Sequence, residues 1–211
     1  MKTIGIIGGS GYTGGELLRL VINHPALSLD FVYSSTRPGT PISDTHHDLL
    51  GQVELAFTDQ VNATVDVLFL CLGHGHSSAF LEQHTFSSQT INIDLSNDFR
   101  LNKDAHFGGR EFIYGLPEIN RTAIEKATAI ANPGCFATAI QLALLPLTNA
   151  KKIKDTVHVN AITGSTGAGV GLSATSHFSW RNNNISWYKP FTHQHLGEIG
   201  ETLTQAQGED T

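Results

Sequence analysis

Apolar residues fall along the first half of this chain in short unbroken runs, each closed by glycine or small polar residues. In "TIGIIGGSGYTGGELLRLVINHP" the run Ile4 to Ile7 predicts a strand, the glycines a turn, and Leu17, Leu18, Val21 and Ile22 the buried stripe of a helix. "LSLDFVYSST", "TVDVLFLCLG" and "TINIDLS" predict three further strands. Continuous rather than alternating apolar strands imply burial on both faces, hence an α/β fold with a parallel sheet covered by helices. "LNKDAHFGGREFIYGLPEIN" is irregular and reads as an active-site loop. Beyond it, "FATAIQLALLPLTN" predicts a buried helix, "TVHVNAITG" a strand of mixed facing, and "HQHLGEIGETLTQAQ" a helix. Residues 165–188 are polar and glycine-rich.

Composition narrows the function classes. The 211 residues are 40% hydrophobic and 15% charged, ordinary for a soluble globular protein. Thirteen basic against nineteen acidic residues leave a net charge of -6, so nucleic acid is not an expected partner. The N-terminal apolar run is too short for a signal segment or a membrane span, so a cytoplasmic protein with no membrane partner is expected. Two cysteines do not make a disulfide framework, and each is judged by its surroundings.

Gly8, Gly11 and Gly14 form a G-x-x-G-x-x-G between the first strand and the first helix. The first permits a tight turn, the second lets backbone approach a pyrophosphate, and the helix start offers N–H groups to the anion, with Ser10, Tyr12 and Thr13 between them. An ordinary strand-to-helix turn is the alternative. At the ligand end of the second strand stand Ser34, Ser35, Thr36 and Arg37, where hydroxyls and a guanidinium suit a 2′-phosphate, so NADP is the expected cofactor. Asp30 is read as lying at the remote end of that strand. Gly73 and His74, with His76, follow the third buried strand and border the expected nicotinamide or substrate position.

Cys135 follows Pro133 and Gly134 where a helix begins, and the dipole at that end favours a thiolate while its N–H groups can hold an oxyanion. A structural cysteine remains the alternative there. Cys71 lies inside an apolar strand and reads as an inert core residue. A nucleophilic thiol needs an acid/base partner, and the candidates are His193 and His195 in "HQH" and His74 and His76 in "HGH". Their H-x-H spacing suits zinc, but no clear third ligand accompanies either pair, so no metal is expected. His46, His47 and His84 are read as surface histidines.

Taken together, "IANPGCFATAIQLALLP", "GGSGYTGGELLRL", "IDLSNDFRL", "YGLPEIN", "GSTGAG" and "HQHLGEI" resemble the N-acetyl-gamma-glutamyl-phosphate reductases, acyl-phosphate reductases of arginine biosynthesis. The resemblance spans almost the whole chain. It implies a Rossmann-type doubly wound sheet over 1–134 that binds NADP. Residues 135–211 are then part of a second α/β domain, like that of glyceraldehyde-3-phosphate dehydrogenase, for catalysis and homo-oligomer formation. It implies Cys135 as nucleophile toward a small acyl-phosphate substrate, His195 with His193 beside it as acid/base, and reduction to the semialdehyde by NADPH. Ser96 and Arg100 are expected to meet the phosphate, a structural salt bridge to Asp98 or another acid being the alternative for Arg100, and Tyr114 and Glu118 to shape the pocket, with capping of the following turn the alternative for Glu118. Two departures stand out. Leu196-Gly197 replaces the family's usual proline ahead of the glutamate, and the chain ends at Thr211 where the family continues through further strands. A truncated second sheet is therefore expected, and a catalytically silent NADP-binding module is the alternative function.

Overall fold

A computed structural model describes residues 1–208. It divides into two compact units, the first running from Met1 to Asn132 and the second beginning at Pro133.

The first unit is a six-stranded parallel sheet. Strand β1 (Lys2–Ile7) leads into α1 (Tyr12–Val21), β2 (Leu27–Tyr33), β3 (Val67–Leu70), α2 (Ser77–Gln83) and β4 (Ile91–Asp94). A small antiparallel hairpin, β5 (His106–Phe107) and β6 (Arg110–Glu111), precedes β7 (Ile113–Tyr114), α3 (Pro117–Ile124) and β8 (Ala129–Ala131). The order across the sheet is β2-β1-β3-β4-β8-β7. The order in which successive strands are added across the sheet reverses between β1 and β3, and the crevice beyond the carboxyl ends of those strands is where open α/β sheets take their ligands.

Both faces of β1 are buried, as its unbroken apolar run requires. Ile4 and Ile6 pack with Leu18, Val21, Val32 and Phe57 on one side, and Ile7 packs with Phe31, Leu68, Leu70 and Phe80 on the other. Asp30 lies within β2 rather than at its start, and it receives a hydrogen bond from Asn62 at 3.1 Å.

The stretch 101–120 is more ordered than its composition predicts. Stacking of Phe99 on Phe112, with centroids 4.0 Å apart, seats it on β8. The Arg110 guanidinium donates to the carbonyls of Thr90 and Ser87, both at 2.7 Å, and ties the hairpin to the amino-terminal side of β4.

In the second unit α4 (Cys135–Asn149) packs on α6 (His195–Gln207), with a short α5 (Phe178–Arg181) between them. Ala137, Gln141, Leu145 and Thr148 form the buried stripe of α4, and His195, Glu198, Ile199 and Thr202 that of α6. Helix α4 is thus buried along one stripe only, with Leu142 and Leu147 exposed. The predicted strand 156–164 is not formed, and its Val157, Val159 and Ile162 are exposed. A strand exists only on a ladder partner, and among the described residues none follows β8. No helix among the described residues is long and apolar enough to cross a membrane.

Candidate active site

The glycine turn sits at the carboxyl end of β1. Gly8 has φ +80°, and a Cβ built there would lie 2.6 Å from the Cys71 carbonyl oxygen. A Cβ on Gly14 would lie 2.6 Å from Gly9 Cα and 2.7 Å from Gly8 O, so that position holds only glycine while helix and loop stay this close. Gly11 is the N-cap of α1, and a Cβ on it would meet nothing nearer than 3.5 Å. The N–H groups of Gly8 and Gly9 both donate to Tyr33 O and that of Gly11 to Gly8 O. Those of Ser10, Tyr12 and Thr13 have no acceptor among the described residues. Open donors converging on a helix start fit a pyrophosphate.

Ser34 is buried, and its hydroxyl lies 3.0 Å from that of Ser10 and 3.3 Å from that of Thr36, joining the end of β2 to the glycine turn. Ser35 and Arg37 stand exposed beside it.

At the neighbouring strand ends, the Asp98 carboxylate accepts N–H bonds from Gly75 at 2.6 Å, Ser77 at 3.0 Å and Ser78 at 3.1 Å, and so caps α2 from outside the helix. The Asn97 N–H donates to His74 Nδ1 at 3.1 Å, which fixes the exposed Gly73–His74 turn. Burial pushes the Asp98 carboxyl up, but the N–H bonds from Ser78 and Gly75 outweigh it and hold the group below the usual range. A depressed folded-state pKa adds stability that is present above the unfolded pKa and lost as pH falls through the folded one. Asp98→Ala should therefore cost about 1–2 kcal/mol at neutral pH, the range of a lost helix cap. In urea melts, its difference from wild type should shrink as the pH drops through the carboxylate range; a difference that is absent at neutral pH contradicts the cap.

Two expected phosphate ligands turn out to brace the fold. The Ser96 hydroxyl is buried, donating to Asp94 at 2.7 Å and accepting from the Asp98 N–H at 3.0 Å. Arg100 is also buried, its Nε donating to Asn132 O at 2.8 Å and its Nη2 to Leu95 O at 2.9 Å, which clips the chain after β4 to the chain after β8. Both were legible as polar residues beside a ligand crevice, but their burial was not. Tyr114 lies half-buried on the edge strand β7, and Glu118 is exposed in the first turn of α3. His46 is buried, against the surface position expected of it, whereas His47 is exposed and His84 half-buried against Phe80.

The two cysteines differ: Cys71 is half-buried against the core around β1 rather than fully inside it. The Cys71 thiol is pushed up to about 12 by burial and by the nearby Asp94 carboxylate, so it stays protonated at neutral pH. Cys135 is exposed and is the first residue of α4. An imidazole packs against each of its two chain neighbours. The buried His195 ring lies against Gly134, where a Cβ would stand 2.6 Å from Cε1, and the His193 ring meets Phe136 edge-on at 5.7 Å.

His193 Nδ1 accepts the His195 backbone N–H at 3.2 Å, so a neutral His193 carries its proton on Nε2, which lies 3.5 Å from the Tyr188 hydroxyl. Burial, and then the charge of a Cys135 thiolate, push that hydroxyl's pKa upward.

Sequence reasoning missed Glu198 and Gln141. The buried Glu198 accepts the Gly134 N–H at 3.1 Å with one oxygen, and its other oxygen lies 3.8 Å from His195 Nε2. Gln141 of α4 donates to Glu198 O at 3.1 Å and to Thr202 Oγ1 at 3.0 Å, locking α6 in place. The i,i+3 spacing of His195 and Glu198 puts both on one helix face and was the available signal. Among the described residues, no group of three His, Cys, Asp or Glu side chains is placed to hold a metal ion.

A parallel sheet with an open-donor glycine turn at its switch point defines a dinucleotide-binding α/β protein. Residues 3–127 match the NAD-binding domain of semialdehyde dehydrogenases and residues 135–211 their dimerisation domain, and the chain belongs to the semialdehyde dehydrogenase family.

Among its relatives, the N-acetyl-gamma-glutamyl-phosphate reductase of Flavobacterium johnsoniae is 64% identical over 207 residues, 98% of this chain and 64% of that one. That of Christiangramia forsetii is 53% identical over 211 residues, all of this chain and 64% of that one. The chain thus spans 64% of the length of these curated relatives. The crystal structure of aspartate semialdehyde dehydrogenase with NADP from Candida albicans shares the fold, with a TM-score of 0.52 at 14% identity over 72% of this chain and 48% of that one.

Proposed function

We propose that this protein reduces N-acetyl-gamma-glutamyl phosphate to the semialdehyde, with NADPH as reductant and Cys135 as nucleophile. The observation that carries the reading is the flanking of Cys135, at the start of α4, by His195 on one chain neighbour and His193 on the other. The names and identities of the relatives support the substrate.

In this reading the Cys135 sulfur attacks the acyl carbonyl, the C–S bond forms, and the C–O bond to phosphate breaks. The N–H groups of the first turn of α4 stabilise the oxyanion that develops on the way. His195 protonates the departing phosphate, and its imidazolium is balanced by the Glu198 carboxylate. NADPH, when bound, would supply the hydride that brings the thioacyl carbon to the aldehyde level. His195, reprotonated from solvent, gives the thiohemiacetal oxygen its proton as the hydride arrives and takes that proton back as the C–S bond breaks and the thiolate returns.

Ser10, Tyr12 and Thr13 would hold the coenzyme pyrophosphate through backbone N–H groups, with Gly8, Gly11 and Gly14 giving the approach. Gly73 and His74 would border the nicotinamide, and Ser34, Ser35 and Arg37 the 2′-phosphate. The dimerisation-domain match supports a homo-oligomer. The test is phosphate-dependent oxidation of N-acetylglutamate semialdehyde, followed by nicotinamide absorbance. Turnover with NADP supports the reading, and binding of NADP without turnover would mark a binding module instead.

Arg37→Ala should weaken NADPH binding by about 10- to 100-fold, the value of charge-assisted hydrogen bonds to a phosphate, and leave NADH within about threefold. Calorimetric titration of both coenzymes checks this, and equal losses would remove the 2′-phosphate assignment.

A further inference from the structure

Five glycines crowd "GGSGYTGG", and a phosphate-binding turn accounts for Gly8, Gly11 and Gly14 only. Gly9 and Gly15 have other neighbours. A Cβ on Gly9 would collide with Val32 Cγ1 beneath the loop. A Cβ on Gly15 would lie 2.5 Å from Cε1 and 2.7 Å from Nδ1 of the His46 ring. Gly15 is therefore small to make room for an imidazole, and His46 uses that room to reach the loop, with Nε2 2.8 Å from the Gly9 carbonyl oxygen.

The ring is held from every side. It is buried at 7% exposure and meets Phe57 edge-on at 6.3 Å. The buried Ile42 and Leu49 anchor the two short 3-10 turns, Ile42–Asp44 and His47–Leu49, on either side of it. Asp48 accepts from Arg19 of α1 at 2.6 and 2.8 Å, strapping the same segment to the helix that the loop feeds. A ring bonded to a carbonyl through Nε2 must carry its proton there, so the contact is a donated N–H···O bond.

A trans peptide is planar, with its C=O and N–H pointing in opposite directions. Drawing the Gly9 carbonyl inward to His46 therefore turns the Ser10 N–H outward. That N–H is one of the loop donors with no acceptor among the described residues. We propose that His46 is a positioning residue for the dinucleotide: it sets the Gly9–Ser10 peptide plane so that the Ser10 N–H faces the coenzyme pyrophosphate. The inference rests on the glycine turn being the coenzyme site proposed above.

Calorimetric titration with NADPH tests it, alongside the melting temperature of the coenzyme-free protein. His46→Leu keeps the bulk and loses the donor, and should weaken NADPH at least about tenfold. His46→Gln keeps an N–H donor at similar reach and should stay within about threefold of wild type. Gly15→Ala should weaken binding by displacing the ring, and it should cost nothing further in a His46→Ala background, where the space is already empty and the donor already lost. Unchanged affinity in His46→Leu, even with a lower melting temperature, would reduce His46 to a core filler and overturn the inference, as would a His46→Gln protein as weak as His46→Leu. If His46→Leu fails to fold, Gly15→Ala decides, and wild-type affinity there overturns the inference as well. A wild-type protein that binds no NADPH would instead sink the coenzyme site itself.

Discussion

Cys135→Ser is expected to lower turnover on the order of 10⁴-fold or more, as the loss of an enzyme's nucleophile does, while NADPH affinity stays within about threefold. The separation follows from the architecture. Cys135 opens α4 in the second unit, whereas the donors of the glycine turn lie within the first. A hydroxyl fits where the thiol stood, but it is far less ionised and a poorer nucleophile toward an acyl phosphate.

The chain offers an internal control, because its only other thiol, Cys71, is pushed up to about 12 by burial and the Asp94 charge. A neutral-pH alkylating reagent should therefore label wild type once, at Cys135, and stop turnover in step with that label. Cys135→Ser should take up almost none. Substantial residual turnover in the serine variant, or labelling that leaves turnover intact, would mean that the sulfur does not form the covalent bond.

How much of this was legible in the sequence depends on how local the cause is. Ile4–Ile7, the glycine turn and α1 are set by neighbours in the chain, and they fold as their pattern predicts. So does the start of α4 at Cys135, which Gly134 caps in extended backbone. Strands β7 and β8 were invisible because two or three residues cannot display a period, and their place in the sheet comes from pairing with each other and with β4. The stretch 156–164 has a strand's composition without a strand's neighbour. His46 appeared to be a surface residue because what buries it is the missing side chain of Gly15, 31 positions away in "GGE". Ser96 and Arg100 have the right chemistry for a phosphate, and only the folded chain reveals that Asp94, Leu95 and Asn132 already draw on them.

Between the two imidazoles beside Cys135, we propose that the proton work is shared unequally, and this sets the second large effect. His193 has Nδ1 committed to the His195 N–H, and it leans its other nitrogen toward an exposed tyrosine. His195 is buried, with Glu198 facing its Nε2 at 3.8 Å while the same carboxylate holds the Gly134 N–H, so the backbone in front of the thiol and the imidazole share one anchor. A carboxylate behind an imidazole steadies its orientation and its protonated form, the arrangement needed to give a proton to departing phosphate and take one from a thiohemiacetal. His195→Gln keeps a hydrogen-bonding side chain of similar reach but cannot change protonation state, and it should lower turnover by about 10²- to 10⁴-fold with NADPH affinity preserved. His193→Gln should lose much less. Turnover measured across pH for both variants reads the difference directly: the limb belonging to the imidazole should disappear in the His195 variant and survive in the His193 variant. The reverse pattern would transfer the acid/base role to His193 and leave Glu198 as an anchor for Gly134 alone.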